Sequence, residues 1–201
     1  MGKGAINIKM YVRVRAWDQL GRITHDVKEP SGSLVQAFLG ALLANMANIS
    51  LSGTHLDITD TARTFTGATT TGQSQYRADA VLGVDTNGIV IGTTNTPVDI
   101  TDNKMLAQIA HGTGSGQMTY ASMVLPTNIT ISDPNATFVI SRNFNNNSGA
   151  TITVREVGIY TDMTRTVGSL GDFCMVRDVP TELAVVDGGG AQVEYTFQIS
   201  E

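Results

Sequence analysis

Cysteine occurs once in 201 residues, as Cys174. A lone cysteine closes no intramolecular disulfide. Flanked by Phe173 and Met175, with no histidine placed beside it, it reads as a buried, unreactive thiol. Charge is scarce too. Asp, Glu, Lys and Arg make up 15% of the chain, and 13 cations stand against 18 anions for a net charge of −5. An average soluble domain carries roughly 25% charged residues. The acidic balance excludes a diffuse nucleic-acid binder. Long apolar runs are also missing: the longest, Leu34 to Ala47, is too short to cross a bilayer and is interrupted by Gln36 and Asn45. No secretory signal is visible at the amino terminus, so the expectation is a soluble chain made in a cytoplasm. On that expectation the four Asn-X-Ser/Thr sequons, at Asn48, Asn128, Asn135 and Asn146, are by-products of composition.

Threonine, asparagine, serine and glycine take the place of the missing charges. They favour β structure joined by polar turns, and argue against a helical bundle or a disordered acidic tail. A chain of this length builds one sizeable core or at most two small domains. We read 1–201 as a single β-rich domain.

Strict period-two alternation opens the chain. Ile6, Ile8, Met10, Val12, Val14 and Ala16 share one face, and Asn7, Lys9, Tyr11, Arg13, Arg15 and Trp17 share the other. Asp18-Gln19-Leu20-Gly21 supplies a turn, and 23–28 returns as a shorter strand. Three cations near two aromatics on the outer face fall short of the basic stripe of a nucleic-acid surface. Residues 34–47 predict an amphipathic helix, capped by Ser33 with Gln36 at the reciprocal position. Its face of Val35, Phe38, Leu39, Leu42, Leu43 and Met46 is expected to pack against a sheet. That helix lacks the basic polar face of a membrane-surface helix.

The Thr-rich stretch at about 59–75 reads as a long loop or insertion, with one short strand near Leu56 to Ile58. A hydroxyl-lined partner surface is the alternative there. Farther on, strands are expected at 80–84, 88–92, 118–125, 129–131, 136–144, 151–160, 173–179, 183–186 and 192–199. A second short helix is expected at about 102–110, with Met105, Leu106 and Ile109 buried. Short strands at this spacing, without alternating helices, indicate an antiparallel β-sandwich or barrel.

Little in the chain carries chemistry. His111-Gly112-Thr113-Gly114-Ser115-Gly116 follows the expected helix and precedes a strand, the reverse of a phosphate-binding loop, so Gly112 reads as a helix stop. His55 and Asp57, with Asp60 near, share a strand face, but no ligand spacing points to a metal. No nucleophile elbow singles out a serine. The expectation is a non-enzymatic protein with no catalytic, cofactor-binding or metal-binding residue. One charged residue stands out: Glu156 shares a strand face with Ile152 and Val154 and needs a partner if buried, which Arg177 supplies as an ion pair.

The order of several motifs adds a resemblance. The segment Ile89-Val90-Ile91-Gly92-Thr93-Thr94-Asn95-Thr96-Pro97 leads, by way of an Asp and a short helix, to Gln108-Ile109. Asn143-Phe144-Asn145-Asn146 follows, then Glu156-Val157-Gly158-Ile159-Tyr160, Met175-Val176-Arg177-Asp178-Val179-Pro180 and a closing Val193-Glu194-Tyr195-Thr196-Phe197-Gln198-Ile199. In this order they resemble a family of virion structural proteins of tailed bacteriophages, over residues 88–201 and loosely over the first 47. The resemblance implies a virion component found in the head as decoration or in a tail, baseplate or fibre. Its partners would be copies of itself and major capsid or tail proteins, with neither nucleic acid nor membrane. In such an assembly the residues around Ile6, Ile8 and Lys9 are expected to form an arm laid on a neighbour. A glycan-binding receptor module using Trp17, Tyr76 and Tyr120 is the alternative of a different class.

Overall fold

The alternating amino-terminal segment pairs with two strands at once. In the computed structural model, which describes residues 6–47, 50–66, 75–164 and 169–200, β1 (Asn7–Trp17) turns back into β2 (Ile23–Ser31). Asp18 organises the turn: its carboxylate accepts from the amides of Leu20 at 2.9 Å and Arg22 at 3.0 Å, while Gly21 takes φ +74°. On its other side β1 pairs antiparallel with β14 (Gly190–Ser200) along its whole length, from Asn7 opposite Ser200 to Trp17 opposite Gly190. β14 in turn pairs with β9 (Asn135–Asn145), which carries the short strands β7 (Thr119–Tyr120) and β8 (Thr130–Ser132). The result is a six-stranded antiparallel sheet. Its β2 edge carries Asp26, Lys28 and Pro30 in exposed positions, residues that blunt further strand addition.

The second sheet is built on β11 (Glu156–Thr164), flanked by β12 (Ser169–Asp178) on one side and by β5 (Gln75–Arg77) and β6 (Gly88–Gly92) on the other. Glu156 through Thr161 are all buried. A strand covered on both faces needs no alternation. One cover is the first sheet; the other is the irregular segment 93–118, in which Met105 lies against Gly158. Two small ladders complete the structure: β10 (Ile152–Val154) with β13 (Leu183–Val185), and β3 (Ser50–Leu56) with β4 (Ala62–Thr66). The fold is thus a mainly-β, sandwich-like arrangement of antiparallel sheets with no closed barrel. One hydrophobic cluster joins the sheets and the helix.

Several local expectations need correction. Residues 102–110 are not helical, because their amides are claimed by distant groups. Met105 N donates to the Tyr160 hydroxyl at 2.5 Å, Ala107 N to Glu156 at 2.8 Å and Ile109 N to the Ile91 carbonyl at 2.9 Å. Gly112 therefore stops no helix; its tight loop closes by Gly112 N donating to Met118 O. The expected strand at 80–84 is a turn region, 118–125 contributes only β7, and 151–160 breaks at Arg155, whose amide donates to Gly92 O. Within the expected loop or insertion at about 59–75, residues 62–66 form β4, which pairs back on β3 (Ser50–Leu56), a strand that ends where a short one was expected near Leu56 to Ile58. Asp57 forms the turn between them, accepting from the amides of Thr59 and Thr61 and from Arg63. Residues 67–74 of that stretch lie outside the described ones.

The helix α1 (Gln36–Ala47) forms where expected and covers Val35 and Phe38 of the expected face, but turns the rest of that face outward. Its buried residues are the small ones, Ala37, Gly40, Ala41 and Ala44, whereas Leu39, Leu42, Leu43 and Met46 are exposed. Close approach explains the choice: a Cβ on Gly40 would stand 2.4 Å from the His55 ring, which itself stacks on Phe65 at 4.3 Å. Ser33 does not cap the helix. Its first amides donate to tertiary carbonyls, Val35 N to Met175 O and Gln36 N to Ile100 O. Gly40→Ala is accordingly expected to lower stability by about 1–3 kcal/mol through overpacking, against the ~1 kcal/mol that alanine gains in helix propensity. Urea denaturation checks the sign.

Candidate assembly surface and the buried polar clamps

Glu156 and Arg177, singled out in the sequence, meet in the interior. Both are fully buried, and Arg177 Nε and Nη2 each lie 2.9 Å from Glu156 Oε2. The remaining guanidinium donors reach Asp102 at 2.9 Å and the carbonyls of Thr96 and Pro97 at 3.0 and 3.4 Å. Glu156 also accepts from the amides of Leu106 and Ala107. Gly92, opposite Glu156 across β6 and β11, leaves room for the carboxylate, since a Cβ there would stand 2.3 Å from Oε1. Every outside partner in this network belongs to residues 96–107. With neither charge open to solvent, the pair acts as a clamp that holds this segment on the second sheet.

A second clamp was not anticipated. Arg142, fully buried on the inward face of β9, donates to the carbonyls of Val81, Val84, Asn87, Ile89 and Ala121 and lies over the Tyr120 ring at 4.9 Å. Burial pushes its guanidinium down to about 10. A signal was available: Ile140 and Phe144, two residues to either side, are buried on the same strand face.

Acidic groups occupy the junction of β11, β12 and the β3–β4 turn. Burial, then the neighbouring Asp162 and Asp57, push the Asp172 carboxyl up to about 6. A carboxyl raised above its unfolded value of about 3.9 binds more protons in the folded state. Its stability contribution is full below about pH 4 and lost as pH rises through about 6. Asp172→Asn should therefore stabilise the protein at pH 7.5, with the gain shrinking at pH 4. Urea melts at the two pH values measure it; an equal gain at both would contradict this origin of the shift.

The other sites considered from sequence come apart. Asp57 is committed to its turn and to Arg63, and His55 to the floor under Gly40. No group of three His, Cys, Asp or Glu among the described residues is placed to hold a metal ion. Cys174 is buried. Two of the three cations of the outer β1 face are paired, Arg13 with Asp26 at 2.5 Å and Arg15 with Glu194 at 3.1 Å, and Lys28 of β2 lies over the Tyr11 ring. Of the aromatics named for glycan binding, Tyr120 is buried, Trp17 packs on Gly190, and the Tyr76 hydroxyl donates to Ala41 O. Asn146 is buried too, with its side-chain amide bonded to the carbonyls of Ala150 and Val185, so that sequon is closed to modification.

What lies open is apolar. Around Ile6, Ile8 and Lys9 the chain is not a detached arm. From Asn7 onward it is paired with β14, which satisfies its backbone, while Met1 to Ala5 lie outside the described residues. Ile8 is nonetheless 84% exposed. Register places Ile8, Ile199, Ala136 and Ile131 in one row across the first sheet, followed by Met10, Phe197 and Phe138 in the next. Phe138 and Phe197 stack at 4.5 Å. Beyond them opens a groove of about 400 Å³ between the two sheets and α1, lined by Phe38, Leu42, Phe138, Ile140, Ile159 and Met175 among others. No charged side chain among the described residues lines it. Comparison with family models, curated proteins and solved structures finds no match to this chain.

Proposed function

We propose that this chain is a non-enzymatic structural component of a tailed-phage virion, a capsid decoration protein that acts through self-association and lattice contacts. One observation carries the reading: the exposed, uncharged face of α1 runs through an apolar groove to the open end of the first sheet. Contiguous apolar surface of this kind marks a protein–protein contact. The order of the motifs from Ile89 to Ile199 supplies the virion setting. Both arginine clamps support the reading as well, because they hold long irregular segments rigidly on the sheets and so fix the shape that a lattice contact requires.

The test is addition of the purified protein to emptied capsids of its phage. The reading expects co-sedimentation at a fixed copy number and a higher temperature of capsid disruption. Co-sedimentation with purified tails in place of capsids would move the protein to a tail, baseplate or fibre role. Binding to neither would overturn the proposal.

A further inference from the structure

Leu39, Leu42, Leu43 and Met46 form a ridge along the outside of α1, with Met46 78% exposed. The helix holds no charged residue and buries its smallest side chains. An isolated surface helix does the reverse. The groove lies beside this ridge, with Leu42 common to both, and the exposed row of Ile8, Ile199 and Ile131 lies beyond the stacked phenylalanines. We infer that this face is a two-fold, isologous contact with a second copy of the chain, the α1 ridge of each copy seated in the groove of the other. The inference names the self-association surface of the assembly proposed above and rests on that reading for its biological setting.

Two observations select a second copy as the occupant. The chain carries a net charge of −5, and two like-charged copies meet most readily where charge is missing, as on α1 and along the groove. A ridge and a groove side by side on one surface are what a self-complementary contact needs.

Sedimentation velocity of the full chain from 1 to 100 µM tests this. The wild-type chain is expected to sediment as a dimer. Leu43→Glu combined with Met46→Glu is expected to weaken association at least about a hundredfold, by placing charge in a desolvated contact. Ile8→Glu, at the far end of the same face, should weaken it too. Leu20→Glu, on the hairpin at the opposite end of the first sheet, should leave it unchanged. All four positions are exposed in the single chain, and circular dichroism should show the same fold throughout. A wild-type chain that stays monomeric at 100 µM, or helix variants that dimerise as the wild type does, would overturn the inference. So would a monomeric chain whose native mass spectrum carries a lipid lost in the helix variants. A monomer that still decorates capsids would leave the virion reading standing, and a dimer that binds no virion part would remove that reading alone.

Discussion

Arg177→Met is expected to lower the unfolding free energy by about 3–5 kcal/mol, the usual cost of stranding one partner of a buried ion pair. Glu156 would remain in the interior with only the amides of Leu106 and Ala107 to hold its charge, and Asp102 would lose its cation. Against a total stability of roughly 5–15 kcal/mol for a domain, that is a large fraction. Glu156→Gln should cost less, because Arg177 keeps Asp102 and the carbonyls of Thr96 and Pro97. A double-mutant cycle between positions 156 and 177 should give a coupling above about 1 kcal/mol. No coupling would mean that the two side chains act independently. Native-state hydrogen exchange adds a local readout: in Arg177→Met the Leu106 and Ala107 amides should exchange sooner than those of β1 and β14.

Arg142→Met should be comparably damaging for a different reason. Among the described residues no carboxylate pairs with Arg142; its charge is dispersed over the carbonyls of Val81, Val84, Asn87, Ile89 and Ala121. Removing the guanidinium leaves several of them buried with fewer partners, at about 1–3 kcal/mol for each acceptor left unsatisfied. The expected loss is about 3–5 kcal/mol, read from urea denaturation. Arg142→Lys should recover only a minority of it, since an ammonium has three donors and cannot span the fork that reaches both Ala121 and the 81–89 turn. Full recovery by lysine would mean that charge alone, and not the fork, holds the turn.

These two clamps also mark where sequence reasoning succeeded and where it stopped. Glu156 was legible because it shares a strand face with Ile152 and Val154, which makes a charge there conspicuous. Arg142 was hidden between Ser141 and Asn143, and only the spacing to Ile140 and Phe144 betrayed its face. Strands β1, β9 and β14 were readable because the first sheet buries one face over much of their length, which writes alternation into the residues. β11 was found by its β-branched content, but its burial on both faces is silent in any period-two pattern. The misread helix at 102–110 had plausible caps and spacing. What prevents it is a set of partners, Glu156, Tyr160 and Ile91, contributed from elsewhere in the chain. For α1 the location was clear and the orientation was not. An apolar stripe indicates which side wants cover, and the rule that this cover is the protein's own core fails when the floor, here His55 and Phe65, comes too close for leucine.

That reversal of α1 is the central point of the functional account, because a helix that turns its large apolar residues outward needs a partner. Cryo-electron microscopy of the intact virion tests it most directly. The account predicts density for this fold on the outer shell in many copies, arranged in pairs whose α1 helices meet across a two-fold axis with Leu43 and Met46 enclosed. Particles that lack the protein, or that carry it with α1 facing open solvent, would contradict it.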